Sequence, residues 1–349
     1  MIQLLKQIIE IPSISGEENN VACLMTEVLT SHGYKVERHN NNIWTRCKGF
    51  DEKKPTILLD AHIDTVKPNG DWKTDPFTPT VIDGKLYGLG SNDTGGSIVS
   101  LLSTFLNIDT TKESYNLVFL SSAEEERAGV NGIRSIVDKI GKIDLAIIGE
   151  PTGMQAAIAE RGLMVLDCLA SGVSGHAARE EGENAIYKAM KDIDWFQNYT
   201  FPKISPVLGK IKMTVTGINA GTQHNVVPSE CKFMVDCRIN ECYTLQEVLD
   251  IIKDNVESQV VPRSMTWHSS SISNEHPIVE RCFDLGLRTY GSPTTSNQVA
   301  IPWTSLKIGP GESARSHTAN EYIAISEIEQ GIEIYSKLLK GLKLVVSDK

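Results

Sequence analysis

The stretches TILLDAHID (56–64), NLVFLSSAEEE (116–126) and DLAIIGEPT (144–152) decide the predicted fold of this chain. Each is a short apolar run that ends near acidic or imidazole side chains. Helical sequence separates the three runs, at 95–108 and 131–142. Apolar strands that alternate with helices predict a largely parallel sheet with helices on both faces. In such sheets ligands bind at the carboxyl ends of the strands, where this sequence carries its acids.

The sequence after residue 160 has a different pattern: strand, helix, two strands and helix, with alternating apolar residues in the strands. This α+β order is typical of a sheet with one exposed face. From about residue 275 helix, strand and helix follow, so we expect the second domain to be inserted into the first. Ser326 and Glu329 form the pattern of a capping box for the last helix. The predicted domains are a catalytic domain of residues 1–159 and 272–349 and an inserted domain of residues 160–271.

The composition excludes several classes of protein. The formal net charge is -10 in 349 residues, which argues against a nucleic-acid partner because such binders need a basic face. Seven cysteines without a CxxC pair do not form a disulfide scaffold in a chain of this length. The sequence shows neither a signal peptide nor an apolar run of membrane-spanning length. These features predict a cytoplasmic protein with no membrane partner.

Candidate chemistry begins with His62 and Asp64. Residues two apart on a strand point to one face, so we expect Asp64 to accept the imidazole N–H and orient His62 as a metal ligand. Taken alone, a histidine beside an acid is more often a surface pair. Asp93 lies in the glycine-rich stretch GLGSNDTGG (88–96) at a predicted helix start, where the plain alternative is a helix N-cap.

Three successive acids, Glu124–Glu126, follow the second apolar run. Like charges so close together resist ionisation, and a bound cation relieves that cost; one acid would then bind metal and a neighbour would act as base. A solvated loop is the plain alternative. With Glu150 and His317 the sequence offers imidazole and carboxylate ligands, which suit zinc, with cobalt or manganese as substitutes. A bridging carboxylate suits two metals about 3.5–4 Å apart.

Taken together, these motifs resemble the acetylornithine deacetylase and succinyl-diaminopimelate desuccinylase family of dinuclear zinc metallohydrolases. The resemblance covers essentially the whole chain and implies a zinc-peptidase-like catalytic domain with an inserted lid or dimerisation domain. The motifs that carry it are AHIDTV (61–66), GLGSNDTGG (88–96), SSAEEERAGVNG (121–132), IGEPT (148–152), SGHAAR (174–179), HNVVPSECKFMVDCR (224–238) and SHTANEYI (316–323).

The resemblance implies a role for each ligand candidate. Taking Glu124 as the leading acid puts Gly132 where the family has its glycine, so Glu125 becomes the general base. The implied zinc sets share one bridging carboxylate. They are His62, Asp93 and Glu150 for one zinc and Asp93, Glu126 and His317 for the other.

Three residues of the inserted domain also match family positions. His176 matches a histidine that reaches the partner subunit's site and helps stabilise the oxyanion, which implies a homodimer formed through the inserted domain. Asn225 and Arg238 match residues that contact the substrate carboxylate. Without the resemblance, a turn histidine, a capping asparagine and a surface arginine are the plainer interpretations. Thr94 and Asn297 depart from the usual family sequence, and we expect such departures to alter the substrate pocket.

The implied activity is hydrolysis of the amide that joins an acetyl or succinyl group to the α-amine of a small amino acid. The first expectation is an N-acyl-ornithine substrate, or the citrulline or lysine equivalent, in arginine-type biosynthesis. The alternatives are a succinyl-diaminopimelate desuccinylase or a metallo-dipeptidase of the same fold. A non-catalytic zinc-binding homologue is the alternative from another class.

Overall fold

The computed structural model of the protein describes residues 1–344. Within these residues the chain forms eight α-helices and eighteen β-strands. The helices are α1 (Ile2–Ile9), α2 (Asn19–Ser31), α3 (Gly96–Asn107), α4 (Val137–Ile140), α5 (Ala185–Asn198), α6 (Leu245–Asn255), α7 (Pro277–Asp284) and α8 (Ile325–Leu339). The strands are β1 (Val36–His39), β2 (Asn42–Arg46), β3 (Thr56–His62), β4 (Thr80–Ile82), β5 (Lys85–Tyr87), β6 (Asn116–Ser122), β7 (Leu145–Ile148), β8 (Ala156–Glu160), β9 (Gly162–Ser171), β10 (Gly175–His176), β11 (Lys212–Ala220), β12 (Val226–Val227), β13 (Glu230–Ile239), β14 (Gln259–Pro262), β15 (Ser270–Ser271), β16 (Thr289–Ser292), β17 (Ser305–Lys307) and β18 (Tyr322–Ala324).

The central sheet has nine strands in the order β1-β2-β6-β3-β7-β17-β8-β15, with β16 also paired to β8. Its middle strands β6, β3, β7 and β17 are parallel, whereas β2 and β8 join them in antiparallel fashion. Every residue of β3 and of β6 is buried, as expected for strands covered on both faces. The predicted α/β fold with a mostly parallel central sheet is confirmed.

The chain divides into two compact units. The first contains residues 1–158, 271–290 and those from 296 on, and the second contains residues 159–270 and 291–295. Residues 291–295, predicted to lie in the catalytic domain, belong to the second unit. A Cβ atom on Gly291 would lie 2.7 Å from the Val207 carbonyl oxygen and from a methyl carbon of Leu208, so this segment packs against residues of the second unit.

The second unit is an α+β unit built on a four-stranded sheet in the order β11-β13-β9-β14. Residues along β13 alternate between buried and more exposed, which leaves one face of the strand open, as its period of two requires. Phe196 of α5 and Val248 of α6 belong to the same buried cluster as Phe233 and Val235 of β13. The α6 helix begins with a capping box formed by Thr244 and Glu247.

The start of α8 differs from the sequence expectation. The helix begins at Ile325, and Glu327, not Glu329, accepts the N–H of Ala324 at 2.8 Å. The predicted capping box of Ser326 and Glu329 is therefore wrong. The physical reason is that Ala324 still pairs with Lys85 of β5, so a strand leads directly into the helix. No helix among residues 1–344 combines the length and apolarity needed to cross a bilayer.

Candidate dinuclear metal centre

The parallel strands bring the predicted ligands to one edge of the central sheet. His62 is the last residue of β3, the acidic triplet follows β6, and Glu150 follows β7. β3 lies between β6 and β7, with His62 opposite Ser122 and Asp60 opposite Ile148. Side chains from segments distant in the chain therefore meet at the carboxyl ends of the strands.

Two groups of potential ligands share Asp93. The ligand atoms of His62, Asp93 and Glu150 all lie within 4.8 Å of one another, and so do those of Asp93, Glu126 and His317. Asp93 Oδ1 is 3.2 Å from His62 Nε2, and its Oδ2 is 3.6 Å from His317 Nε2. Each oxygen of Asp93 thus faces a different histidine, which is the arrangement of a bridging carboxylate.

The electrostatics of this cluster favour a cation. Burial, together with the charges of Glu125 and Asp93, raises the pKa of Glu150 well above its usual range. Burial also raises the pKa of Glu125 to about 8, and the neighbouring Glu126 charge acts in the same direction. Buried carboxylates that repel one another are costly to keep ionised. Divalent cations at the two ligand groups compensate this repulsion, so the donor chemistry fits a pair of metals.

Asp64 does more than orient His62. The Nδ1 atom of His62 is 2.9 Å from the main-chain oxygen of Asp64 and 3.4 Å from its carboxylate Oδ1. The two carboxylate oxygens accept the backbone N–H groups of Glu125 at 3.1 Å and Glu126 at 3.0 Å. Burial opposes ionisation of Asp64, but His62 and the Glu126 N–H outweigh it and keep its pKa below the usual range. The carboxylate therefore also fixes the backbone that carries two of the acids.

The three acids of the triplet have different surroundings. Glu124 has a left-handed backbone, with φ 54, and its carboxylate accepts hydrogen bonds from Arg127 at 2.7 Å and from the backbone and side chain of Asn131 at 3.2 and 3.1 Å. Glu126 Oε2 lies 2.8 Å from His317 Nε2. Glu125 Oε2 lies 3.9 Å from His62 Nε2. Glu125 and Glu126 thus face the ligand groups, whereas Glu124 stabilises the loop.

The model of peptidase family M20/M25/M40 matches residues 58–341, a span that includes every predicted metal ligand. The chain belongs to this family. It is 24% identical to a succinyl-diaminopimelate desuccinylase of Shewanella pealeana, with 98% of this chain and 97% of the relative covered. Its fold is similar to that of aminopeptidase PepT of Bacillus cereus (TM-score 0.79, 17% identity, 97% of each chain). It is also similar to Bacillus subtilis YXEP, described as a dinuclear metal binding peptidase (TM-score 0.71, 14% identity, 98% of each chain).

Family membership makes the chain a hydrolase of amide bonds, and the sequence prediction of its enzyme class is confirmed. The predicted family is confirmed as well.

His176 and Asn225 lie together in the second unit. β10 pairs with β12, and the N–H of Ala177 donates to the Asn225 carbonyl at 3.0 Å. The Nδ1 atom of His176 accepts the N–H of Ala178 at 3.1 Å. This bond leaves the proton of the neutral ring on Nε2, so an exposed N–H donor is available.

Arg238 lies toward the other end of β13 from these two residues. It faces Leu163 of β9, whereas Glu230 at the start of β13 faces Ser171. The residues from Glu230 to Arg238 span about 26 Å of strand. The Arg238 guanidinium binds Asp236 through two hydrogen bonds, of 2.8 and 3.0 Å. Arg238 and Asn225 of the same chain therefore do not form one carboxylate pocket within the second unit.

Thr94 and Asn297, which depart from the usual family sequence, are both buried. Thr94 donates to the main-chain oxygen of His62 at 2.9 Å. Asn297 donates to Asp60 at 2.9 Å and to Ser122 at 2.8 Å. Both side chains support the strands beneath the centre and are closed to solvent, with exposed fractions of 1% and 5%.

Two acids that hold the ligand loops were not among the residues predicted from the sequence pattern. Glu18 is fully buried, and its carboxylate accepts the N–H of Glu124 at 3.3 Å and the Asn41 amide at 2.8 Å. Glu321 is almost fully buried and accepts the backbone N–H of Asp93 at 2.9 Å. Neither lies on a strand end of the central sheet, where the sequence pattern located His62, the acidic triplet and Glu150.

Proposed function

We propose that this protein is a two-zinc deacylase that releases an acetyl or succinyl group from the α-amine of a small amino acid, with N-acyl-ornithine, N-acyl-citrulline or N-acyl-lysine as the substrate class. The observation that carries the proposal is that Asp93 belongs to both ligand groups. Each group also contains one histidine and one glutamate. Mixed imidazole and carboxylate ligands suit zinc, and cobalt or manganese can replace it.

In this proposal Glu125 is the general base. Its carboxylate Oε2 lies 3.9 Å from His62 Nε2, but Glu125 belongs to neither ligand group. It takes a proton from the attacking water, whose oxygen bonds to the amide carbon. The same carboxylate then delivers that proton to the amine as the carbon–nitrogen bond breaks. Zinc, when bound, supplies Lewis-acid polarisation of the reacting carbonyl and water.

His176 is proposed to stabilise the oxyanion in the site of a second copy of the chain. Its Nδ1 is occupied by the Ala178 N–H, so Nε2 is the donor, and a preorganised donor aimed at developing charge is a large catalytic contribution. The chain would then act as a homodimer through its second unit. Mixing a Glu125→Ala variant with a His176→Ala variant should restore part of the activity, because mixed dimers regain one intact site. No recovery despite demonstrated subunit exchange would exclude the shared site.

The desuccinylase name of the Shewanella pealeana relative supports an acyl-amino-acid substrate. A dipeptidase is the second candidate, because the amide of an N-acyl amino acid is chemically a peptide bond and the same side chains would cleave it. A panel of N-acetyl and N-succinyl derivatives of ornithine, citrulline, lysine and diaminopimelate, with simple dipeptides beside them, separates the two by amine release. Turnover of dipeptides alone would move the chain to the peptidase class.

A matched pair of variants tests the base. Glu125→Gln should lower kcat by about 10²–10⁴-fold while both zinc ions stay bound, because Glu125 is not a ligand. Glu126→Gln should lose zinc, because Glu126 faces His317 at 2.8 Å. Metal content by atomic emission and kcat on the best substrate distinguish the two. Full turnover by Glu125→Gln would refute the assignment, and a zinc-loaded wild-type chain silent on the whole panel would favour a non-catalytic homologue.

A further inference from the structure

The carboxylate of Glu321 is buried against the loop that carries Asp93. Glu321 as a whole is 2% exposed. One oxygen accepts the N–H groups of Asn92 at 2.8 Å and Asp93 at 2.9 Å, and the other accepts the N–H of Gly90 at 3.1 Å. Both oxygens are thus turned toward backbone donors, and Glu321 belongs to neither group of potential metal ligands.

Asn92 makes the reciprocal connection. Its side chain is fully buried, and it donates to the main-chain oxygen of Glu312 at 3.1 Å and accepts the Glu312 N–H at 3.0 Å. It pairs with that backbone as a neighbouring strand would. A Cβ atom on Gly311 would lie 2.3 Å from the Asn92 side-chain oxygen, so the glycine permits this approach.

His317 lies between the two anchor points of this connection. Its side chain is 54% exposed, and its backbone is left-handed, with φ 61, so its own burial does not hold it in place. The turn before it is tied to Asn92 at Glu312, and the residue four positions after it is Glu321. The segment that carries His317 is therefore attached on both sides to the loop that carries Asp93.

We propose that Asn92 and Glu321 are positioning residues that join these two loops into one bracket and set Asp93 and His317 at ligand distance before any metal binds. The proposal rests on the proposed function in one respect: it takes these side chains to be zinc ligands. The bracket couples the loops because each of its members originates in one loop and binds the backbone of the other. Removing either side chain should make both loops more mobile.

The test compares Asn92→Ala and Glu321→Gln with Asn116→Ala. Asn116 is the matched control, since it is also buried and binds the Asp51 backbone through its amide and carbonyl, at 2.8 and 3.0 Å, but at the start of β6, away from the ligands. Zinc affinity is measured by competition with a chromogenic chelator. Residues that hold metal ligands from behind typically contribute 10–100-fold to affinity, so we expect that loss in both bracket variants and wild-type affinity in Asn116→Ala.

Hydrogen exchange of the metal-free chain gives a readout that is independent of zinc. Either bracket variant should accelerate amide exchange in residues 88–95 and also in residues 312–321, whereas Asn116→Ala should accelerate neither. Acceleration confined to the mutated loop, or wild-type zinc affinity in both bracket variants, overturns the proposal. If the wild-type chain binds no zinc, the proposed function fails, and the exchange pattern still decides whether the bracket exists. Should Glu321→Gln not fold, Asn92→Ala provides both measurements.

Discussion

Replacing Asp64 by asparagine tests how the centre is preorganised. Asp64 is 1% exposed, and its carboxylate accepts the backbone N–H groups of Glu125 and Glu126. Asparagine keeps one acceptor oxygen and turns an amide N–H₂ toward the other backbone donor. One charge-assisted hydrogen bond is lost, which costs about 1.5–3 kcal/mol, and the loop with the base and a ligand loosens. We expect a similar loss in the free energy of unfolding and a loss of about 10–100-fold in zinc affinity.

Asp192→Asn is the matched control for this prediction. Asp192 is 4% exposed, and its carboxylate accepts the N–H groups of Glu257 at 3.1 Å and Ser258 at 2.9 Å, but it lies in the second unit. Urea unfolding of the metal-free chain should show comparable destabilisation in both variants. Chelator competition should show weakened zinc binding only in Asp64→Asn. Equal zinc affinity in the two variants would refute the argument and reduce Asp64 to a purely structural residue.

Three further predictions follow from other parts of the structure. Gly129→Ala should lower the free energy of unfolding by about 1–3 kcal/mol and weaken zinc binding, because the added Cβ would lie 1.9 Å from the Glu124 carboxylate. The control is Gly70→Ala, whose Cβ would meet nothing within 4 Å. Thermal unfolding and chelator competition compare the two variants. His276 caps α7 by accepting the Ile278 N–H at 3.3 Å, and burial lowers its pKa. The stability from this cap is present above the pKa that His276 has in the unfolded chain, and it is lost as the pH falls through the lower pKa of the folded state. Relative to His276→Asn, the wild type should therefore lose about 1 kcal/mol of unfolding free energy between about pH 7.5 and pH 5. A pH-independent difference between the two variants in urea unfolding would contradict this. Removal of zinc by a chelator should lower the melting temperature, since ligand at a thousandfold excess over its Kd contributes about 4 kcal/mol, and an unchanged melting temperature in calorimetry would argue against bound metal.

The local sequence pattern was sufficient to predict those parts of the structure that depend on hydrophobic periodicity. The apolar runs of β3, β6 and β7 predicted buried parallel strands, because such strands are covered on both faces. The acids and histidine at their carboxyl ends then predicted a common site, since parallel strands end at one edge. The division of the acidic triplet came from the family resemblance and not from local pattern, because three adjacent acids have the same chemistry in sequence.

Sequence alone thus determined the fold class, the two kinds of domain and a set of ligand candidates that the structure brings within ligand distance. Tertiary structure decided the contacts of the supporting side chains. Asp64 binds the Glu125–Glu126 backbone as well as His62, and Glu321 binds the loop of Asp93. The bonds of Asp64 to Glu125 and Glu126 and of Glu321 to the Asp93 loop join residues far apart in the chain. They are made to backbone N–H groups, which every residue except proline possesses. Because the partner group is the same at nearly every position, no sequence pattern marks it, and only the folded chain shows which backbone each carboxylate meets.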